Sequence, residues 1–295
     1  MFGRSANIYI FLNNRIVAEE EAVVSVYDHG FLYGDGIYET MRSYNGVVFR
    51  LEKHIERLNR SASYLKLAIP DKDFIKDAVY KTFAANRLSD AYIRITVSRG
   101  KGPVGLDPEL CREPTFVVIA EQFRQYPEAY YKNGTKLFFA KIRRNLVAAL
   151  DPKIKSLNFL NNIMAKIEAK EKGAHEAIML NADGFIAEGT VSNIFFVKDK
   201  MLCTPSVDAG ILDGITRETV ISLAIRNGIE VREGMFSPDD LFKSTEVFFT
   251  NTTAEVMPVS QVDDVKYEVG EMTVKLHDLY REEVAIYSEN MGAKG

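Results

Sequence analysis

Alternation of apolar and polar residues opens the chain. IYIFL and RIVAE, separated by Asn13-Asn14, predict a β-hairpin. A second hairpin, GIYETMRS and VVFRL, turns at Asn45-Gly46, a pair suited to the positive backbone angles of a tight turn. The period then lengthens. Ile55, Leu58, Ala62 and Leu65 share one face of a helix from about Glu52, and DKDFIKDAVYKTFAAN predicts a second helix. The strands AYIRITVS and TFVVIAEQF follow, joined by the loop RGKGPVGLDPELCREP. RQYPEAYYKNG breaks the pattern and reads as a linker, after which TKLFFAKI begins a second strand-rich unit. That unit holds hairpin-like stretches in EAIMLNADGFIAEG and NIFFVKDKMLCTP. It continues with a helix, TRETVISLAIRN, closed by Gly228, and another opened by Ser237 as N-cap with Pro238 at the first helical position. No internal repeat is visible. Hairpins mixed with helices predict an α+β class rather than a doubly wound sheet. The expected division is a smaller domain over 1–122, a linker over 123–133 and a larger domain over 134–295.

The stretch KSLNFLNNIMAKIEAKEKGA, from Lys155, is unusual. Leu160, Ile163, Met164 and Ile167 form an apolar helical stripe, with Lys166, Glu168, Lys170 and Glu171 on the polar side. Lys155 stands between Ile154 and Leu157 at the mouth of that helix, where a small cap residue is usual.

At 295 residues, two domains are expected. A net charge of -4 and the lack of a Lys/Arg run argue against nucleic-acid or anionic-membrane partners. Cys111 and Cys203 are isolated, which suits a reducing compartment better than a disulfide framework, and the four histidines lack metal-ligand spacing. No apolar run reaches membrane-spanning length, and the N-terminal stretch is too polar for a secretory signal. The expectation is a cytoplasmic protein acting on small molecules.

Four features carry candidate chemistry. An amine in apolar surroundings is held partly neutral and becomes a nucleophile toward an aldehyde, the role open to Lys155; a lone lysine is more often solvated. ILDGITRETV places a glycine before a helix, so free N–H groups and the Thr216 hydroxyl face outward as an anion site, unless the helix is simply capped. Arg57 lies beside a helical apolar stripe, where its fork suits a phosphate, although a solvated arginine is the commoner case. Glu188 follows an apolar strand and precedes Gly189, Thr190 and Ser192; it is either a carboxylate held in a shaped turn or a hairpin-closing residue. Together these are the parts that pyridoxal phosphate chemistry requires.

The order of the blocks DHGFLYGDGIYETMRSYNG, HIERL, KSLNFLNN, EAIMLNADGFIAEGTVSNIF, GILDGITRETVI and NTTAEVMPV resembles the class IV, or fold-type IV, aminotransferases. The resemblance runs from about Tyr9 to about Leu279. It implies a smaller α/β N-terminal domain and a larger C-terminal distorted barrel, with pyridoxal 5'-phosphate between them. It also implies a homodimer whose partner loops help to close the site. Lys155 would hold the cofactor covalently, Glu188 would pair with the ring nitrogen, and Arg57, Ile215, Thr216 and Thr252 would bind the phosphate. Lys153 would be structural.

Within that family the chain resembles the branched-chain group. Tyr92 and Arg94, two apart on a strand and so on one face, match its carboxylate-recognising pair. Tyr33 and Tyr38 match aromatic wall positions, with Thr253 and Ala254 of NTTAE on the substrate side. Arg42 is either a second anion contact, suited to 2-oxoglutarate, or a surface strand residue. Two departures stand out: Thr40 replaces a usual glycine, and Phe159 replaces a tyrosine that often meets the cofactor's phenolic oxygen. Val104 and Leu106 occupy places where D-amino acid aminotransferases carry arginine and histidine. The implied activity is ping-pong Schiff-base transamination between a hydrophobic, branched-chain L-amino acid and 2-oxoglutarate. A D-amino acid aminotransferase, an aminodeoxychorismate lyase and a non-catalytic cofactor carrier are the alternatives.

Overall fold

The computed structural model describes residues 8–292; the first residues of the N-terminal stretch weighed above lie outside them. The chain forms two compact units. One comprises the described residues up to Arg124, the segment Ile154–Asn158 and those from Ala285; the other comprises Gln125–Lys153 and Phe159–Val284.

The first unit contains β1 (Tyr9–Leu12), β2 (Arg15–Ala18), α1 (His29–Tyr33), β3 (Gly36–Tyr44), β4 (Val47–Val48), α2 (Leu51–Leu65), α3 (Lys72–Ala85), β5 (Ala91–Ser98) and β6 (Thr115–Gln122). Its antiparallel sheet runs β2-β1-β6-β5-β3-β4. The hairpin after β3 turns through Asn45 and Gly46 at φ 49° and 85°. Alternation along the strands separates two faces. Ile37, Met41, Ile93, Ile95, Val97, Phe116 and Val118 pack with Ile55, Leu58, Ile75 and Val79 of α2 and α3 into one core. The register then aligns Tyr38 with Thr96, Thr40 with Arg94 and Arg42 with Tyr92 along the strand positions of the other face.

Ile154–Asn158 joins this unit because its backbone docks on β3. Lys155 O accepts from Tyr38 N at 2.9 Å, and Leu157 N donates to Gly36 O at 2.9 Å. Gly36 permits the approach: a Cβ there would lie 2.7 Å from Leu157 Cδ1 and 2.6 Å from Val97 O. Lys155 is therefore in an extended, strand-docked segment rather than at a helix mouth.

The second unit contains α4 (Glu128–Asn133), β7 (Thr135–Phe139), α5 (Leu160–Glu171), β8 (Glu176–Leu180), β9 (Ile186–Gly189), β10 (Asn193–Lys198), β11 (Met201–Pro205) and α6 (Ile215–Arg226). After these come β12 (Val231–Gly234), α7 (Pro238–Phe242), β13 (Glu246–Asn251), β14 (Glu255–Val262), β15 (Val265–Lys266) and α8 (Glu271–Gly292), whose last residues fall in the first unit. The sheet order is β12-β11-β10-β13-β14-β7-β8-β9, with β15 on β14 and parallel pairs among mostly antiparallel ones. It curls so that β9 returns toward β10, where Gly189 N donates to Ser192 O at 2.7 Å. Phe196, Phe249, Met257 and Val259 are in its core.

Part of the segment read as a linker is helical, as α4, and Tyr131 OH donates to Ala254 O at 3.2 Å. The stripe on α5 is inverted relative to expectation. Ala165 and Ala169 are buried, because small side chains let the helix lie close to β8, while Leu160, Ile163, Met164 and Ile167 are 44–67% exposed. Gly228, at φ 71°, follows α6 as expected, and Ser237 and Asp240 form a capping box on α7.

Candidate functional site

In the first unit, the docked segment fixes the Lys155 backbone and leaves its side chain against the outer strand face. Its N–H donates to Ser61 Oγ at 3.1 Å, and its Nζ donates to Tyr38 OH at 3.1 Å while lying 4.4 Å from the centre of that ring. The Arg94 guanidinium lies over the same ring at 4.2 Å, with its Nε donating to Thr96 Oγ1. Tyr38 thus meets both the amine and the guanidinium, the latter favoured by the ring's negative face. Thr40 is Arg94's cross-strand partner. A carboxylate approaching this face would meet a guanidinium and, nearby, a primary amine.

Arg57 occupies a different environment from the one expected. It is 4% exposed, and Glu39, on the helix-facing side of β3, takes its Nε at 2.6 Å and its Nη2 at 2.9 Å. His54 Nδ1 lies 2.8 Å from the same carboxylate. Burial alone would push the Glu39 carboxyl up, but the Arg57 charge and hydrogen bond, aided by His54, hold it well below the usual range. Burial pushes His54 down against the pull of Glu39, so its ring is neutral and Nδ1 carries the proton toward Glu39. Ser61, one helical turn beyond Arg57, takes the Lys155 N–H, so α2 brings the arginine's face to the lysine's backbone.

Arg42 is neither a bare surface residue nor an open anion contact. It is 8% exposed, its guanidinium 3.7 Å from the Phe123 ring centre and 4.2 Å from that of Tyr44. Tyr33 lies on α1, where its hydroxyl accepts from Gly105 N at 3.0 Å and so ties down the loop carrying exposed Val104 and Leu106. Tyr92 is half-buried beside Arg42 in register.

In the second unit, Glu188 is the penultimate residue of β9 and is 5% exposed. Oε1 accepts from Arg144 Nε at 2.8 Å, and Oε2 accepts from Leu212 N at 2.9 Å. Asn193 Nδ2 makes a longer contact to Oε2 at 3.5 Å, so the Glu188 carboxylate is oriented by a guanidinium on one oxygen and by neutral donors on the other. Glu176, 2% exposed, accepts from Thr190 N, Thr190 Oγ1 and Ser192 Oγ and so shapes the turn after Glu188. Arg144 and Glu176 escape the sequence reading because each meets its partner only through the folded sheet, Arg144 from 44 residues away and Glu176 across the β8–β9 pair; an isolated acid in the apolar strand EAIML was the one available signal.

α6 begins at Ile215 and Thr216, which are 7% and 5% exposed, and no side chain caps it at Gly214. Close packing forbids a side chain there, since a Cβ on Gly214 would lie 2.0 Å from Asn193 Oδ1. The first-turn N–H groups thus face outward at the positive end of the helix dipole. Thr250 Oγ1, on the strand leading to the 251–254 turn, is buried without a hydrogen-bond partner among the described residues. In that turn Asn251 Oδ1 accepts from Thr253 N, Thr253 Oγ1 and Ala254 N, so it already holds the donors of Thr253 and Ala254. Thr252 is half-buried in the same turn. An uncapped helix start, an orphaned hydroxyl and a buried carboxylate suit the phosphate and ring nitrogen of pyridoxal phosphate.

The model of the family "Amino-transferase class IV" matches residues 36–262. A putative branched-chain-amino-acid aminotransferase of Methanocaldococcus jannaschii is 45% identical over 92% of this chain and 95% of its own length. The aminodeoxychorismate lyase of Bacillus subtilis is 36% identical over 93% and 94%, and a D-alanine aminotransferase of Listeria monocytogenes is 34% identical over 93% and 96%. Among solved structures, the T.th. branched-chain amino acid aminotransferase with pyridoxamine 5'-phosphate superposes with a TM-score of 0.90 at 32% identity, over 95% of this chain and 94% of that one. The Thermoproteus uzoniensis branched-chain aminotransferase with norvaline gives 0.88 at 36%, over 95% of each. With the fold, the sequence blocks and the donor sets in agreement, this chain belongs to the class IV aminotransferases, enzymes that depend on pyridoxal phosphate.

Proposed function

We propose that the protein transfers the amino group of a hydrophobic, branched-chain L-amino acid to 2-oxoglutarate. The observation that carries this reading is the strand face on which Tyr38 lies against both Lys155 and Arg94, an amine and a guanidinium sharing one aromatic wall. A guanidinium recognises a carboxylate, and an aromatic wall favours an apolar side chain. The likeness to branched-chain enzymes supports the same substrate class.

Pyridoxal phosphate, when bound, supplies an aldehyde that takes up the amino group and a ring that draws electrons from the substrate Cα. Lys155 would hold it, and its amine is the group that would take up a proton at the substrate Cα. Glu188, oriented by Arg144, would pair with the ring nitrogen. Arg57, Thr216, Thr252 and the N–H groups at the start of α6 are the groups that would hold the phosphate. Arg94 and Tyr92 orient the substrate carboxylate, and Thr40 narrows the space beside Tyr38. Thr253 and Ala254, in a turn that Asn251 holds, would face the substrate.

The exposed Leu160, Ile163, Met164 and Ile167 form an apolar stripe suited to a second copy of the chain, and a homodimer is part of this reading. Two unpaired cysteines suit a cytoplasmic setting.

A donor screen tests the substrate. L-Leucine with 2-oxoglutarate is expected to turn over faster than D-alanine. Preference for D-alanine, or pyruvate release from aminodeoxychorismate without an acceptor, would replace this reading with one of the other two activities found among the relatives. Borohydride reduction of the holoenzyme should fix the cofactor to Lys155, and Lys155→Ala should abolish both that label and turnover.

A further inference from the structure

The cluster around Arg57 poses a question of charge. A guanidinium that binds phosphate gains most from a full positive charge, yet Glu39 places two oxygens on it at 2.6 and 2.9 Å and offsets that charge. Glu39 is fully buried, and no part of it reaches the outer strand face where Tyr38 and Thr40 lie. Its carboxylate accepts from both nitrogens on one edge of the guanidinium, from His54 Nδ1 at 2.8 Å and from Thr40 N at 3.2 Å. Such a fork-to-fork pair leaves the guanidinium one orientation. Burying a carboxylate is costly in itself, and geometry is what the arrangement gains.

We infer that Glu39 is a positioning residue: braced by His54, it fixes the Arg57 guanidinium in the orientation that reads the cofactor's phosphate. This rests on the assignment of Arg57 to the phosphate. Orientation and charge make opposite predictions. If Glu39 acted only through its charge, removing that charge would strengthen phosphate binding. If it acts by holding the fork, removal weakens it, because Arg57 then has to order itself on binding.

The test is the ratio of affinities of the cofactor-free full chain for pyridoxal 5'-phosphate and for pyridoxal, which lacks the phosphate, read by absorbance titration. A general structural defect weakens both ligands alike and leaves the ratio unchanged. Arg57→Met should lower the ratio; an unchanged ratio would remove the assignment of Arg57 and leave Glu39 without a function to support. Glu39→Gln should lower the ratio by about tenfold or more, the worth of one charge-assisted hydrogen bond, with pyridoxal affinity little altered. A ratio unchanged or raised in Glu39→Gln while Arg57→Met lowers it would overturn the inference alone. Should Glu39→Gln fail to fold, Glu39→Asp keeps the charge but draws the carboxylate back by one methylene. A lowered ratio there supports the inference, and a wild-type ratio overturns it.

Discussion

Replacing Arg144 with methionine removes the cation from a pair whose side chains are 10% and 6% exposed. Glu188 Oε1 then loses its 2.8 Å donor, while Oε2 keeps Leu212 N at 2.9 Å and a long contact to Asn193 at 3.5 Å. Arg144 also gives up its contact to Asn161 at 3.2 Å. Stranding one member of a buried ion pair costs about 3–5 kcal/mol. Glu188→Gln strands the arginine in the same way. The double variant strands neither charge, so its loss should fall short of the sum of the single losses by up to about 3 kcal/mol. The measurement is urea unfolding of the cofactor-free chain, wild type and three variants, followed by circular dichroism. A loss under about 1 kcal/mol for Arg144→Met, or a double variant equal to the sum, would refute the claim that the pair acts as one buried unit.

Gly36→Ala should destabilise the protein by about 1–3 kcal/mol and weaken borohydride labelling of Lys155, since the added carbon meets Val97 O and Leu157 Cδ1 where the lysine segment docks; wild-type stability in urea would contradict the packing. Asp240 is held at about 2, below its usual 3.8, chiefly by Lys198 and by Ser237. Its contribution to stability is therefore present above about 4 and is lost as the pH falls toward 2. Asp240→Asn should flatten the acid limb of the stability profile in that window, and an unaltered limb would count against the assignment. If the proposed homodimer forms through the exposed α5 stripe, Ile163→Asp, placing a charge there, should shift sedimentation of the wild-type dimer to monomer while leaving circular dichroism unchanged; a monomeric wild type would overturn the dimer, and an unshifted dimer would locate the interface elsewhere.

Local periodicity was enough to place both opening hairpins, α2, α3, the strands after them and the cap of α7, because each depends on near neighbours and turn chemistry. The chemistry-bearing lysine, carboxylate and helix start were also legible as residue types in order. Which way a side chain faces was not. Glu39 sits between Tyr38 and Thr40 in sequence, yet the pleat sends it to the helix side, where it meets an arginine and a histidine supplied by α2. The α5 stripe reads as core by spacing, but alanines take the inner face because only they allow the helix to lie close on the sheet. Arg144 and Glu176 became partners of Glu188 and its turn only in the folded sheet, where β8 pairs with β9 and Arg144 comes up from 44 residues away. Sequence alone determined the elements that near neighbours fix, and it offered the candidate groups. Tertiary structure decided their pairings, since long-range register and burial choose which charge each buried carboxylate must meet.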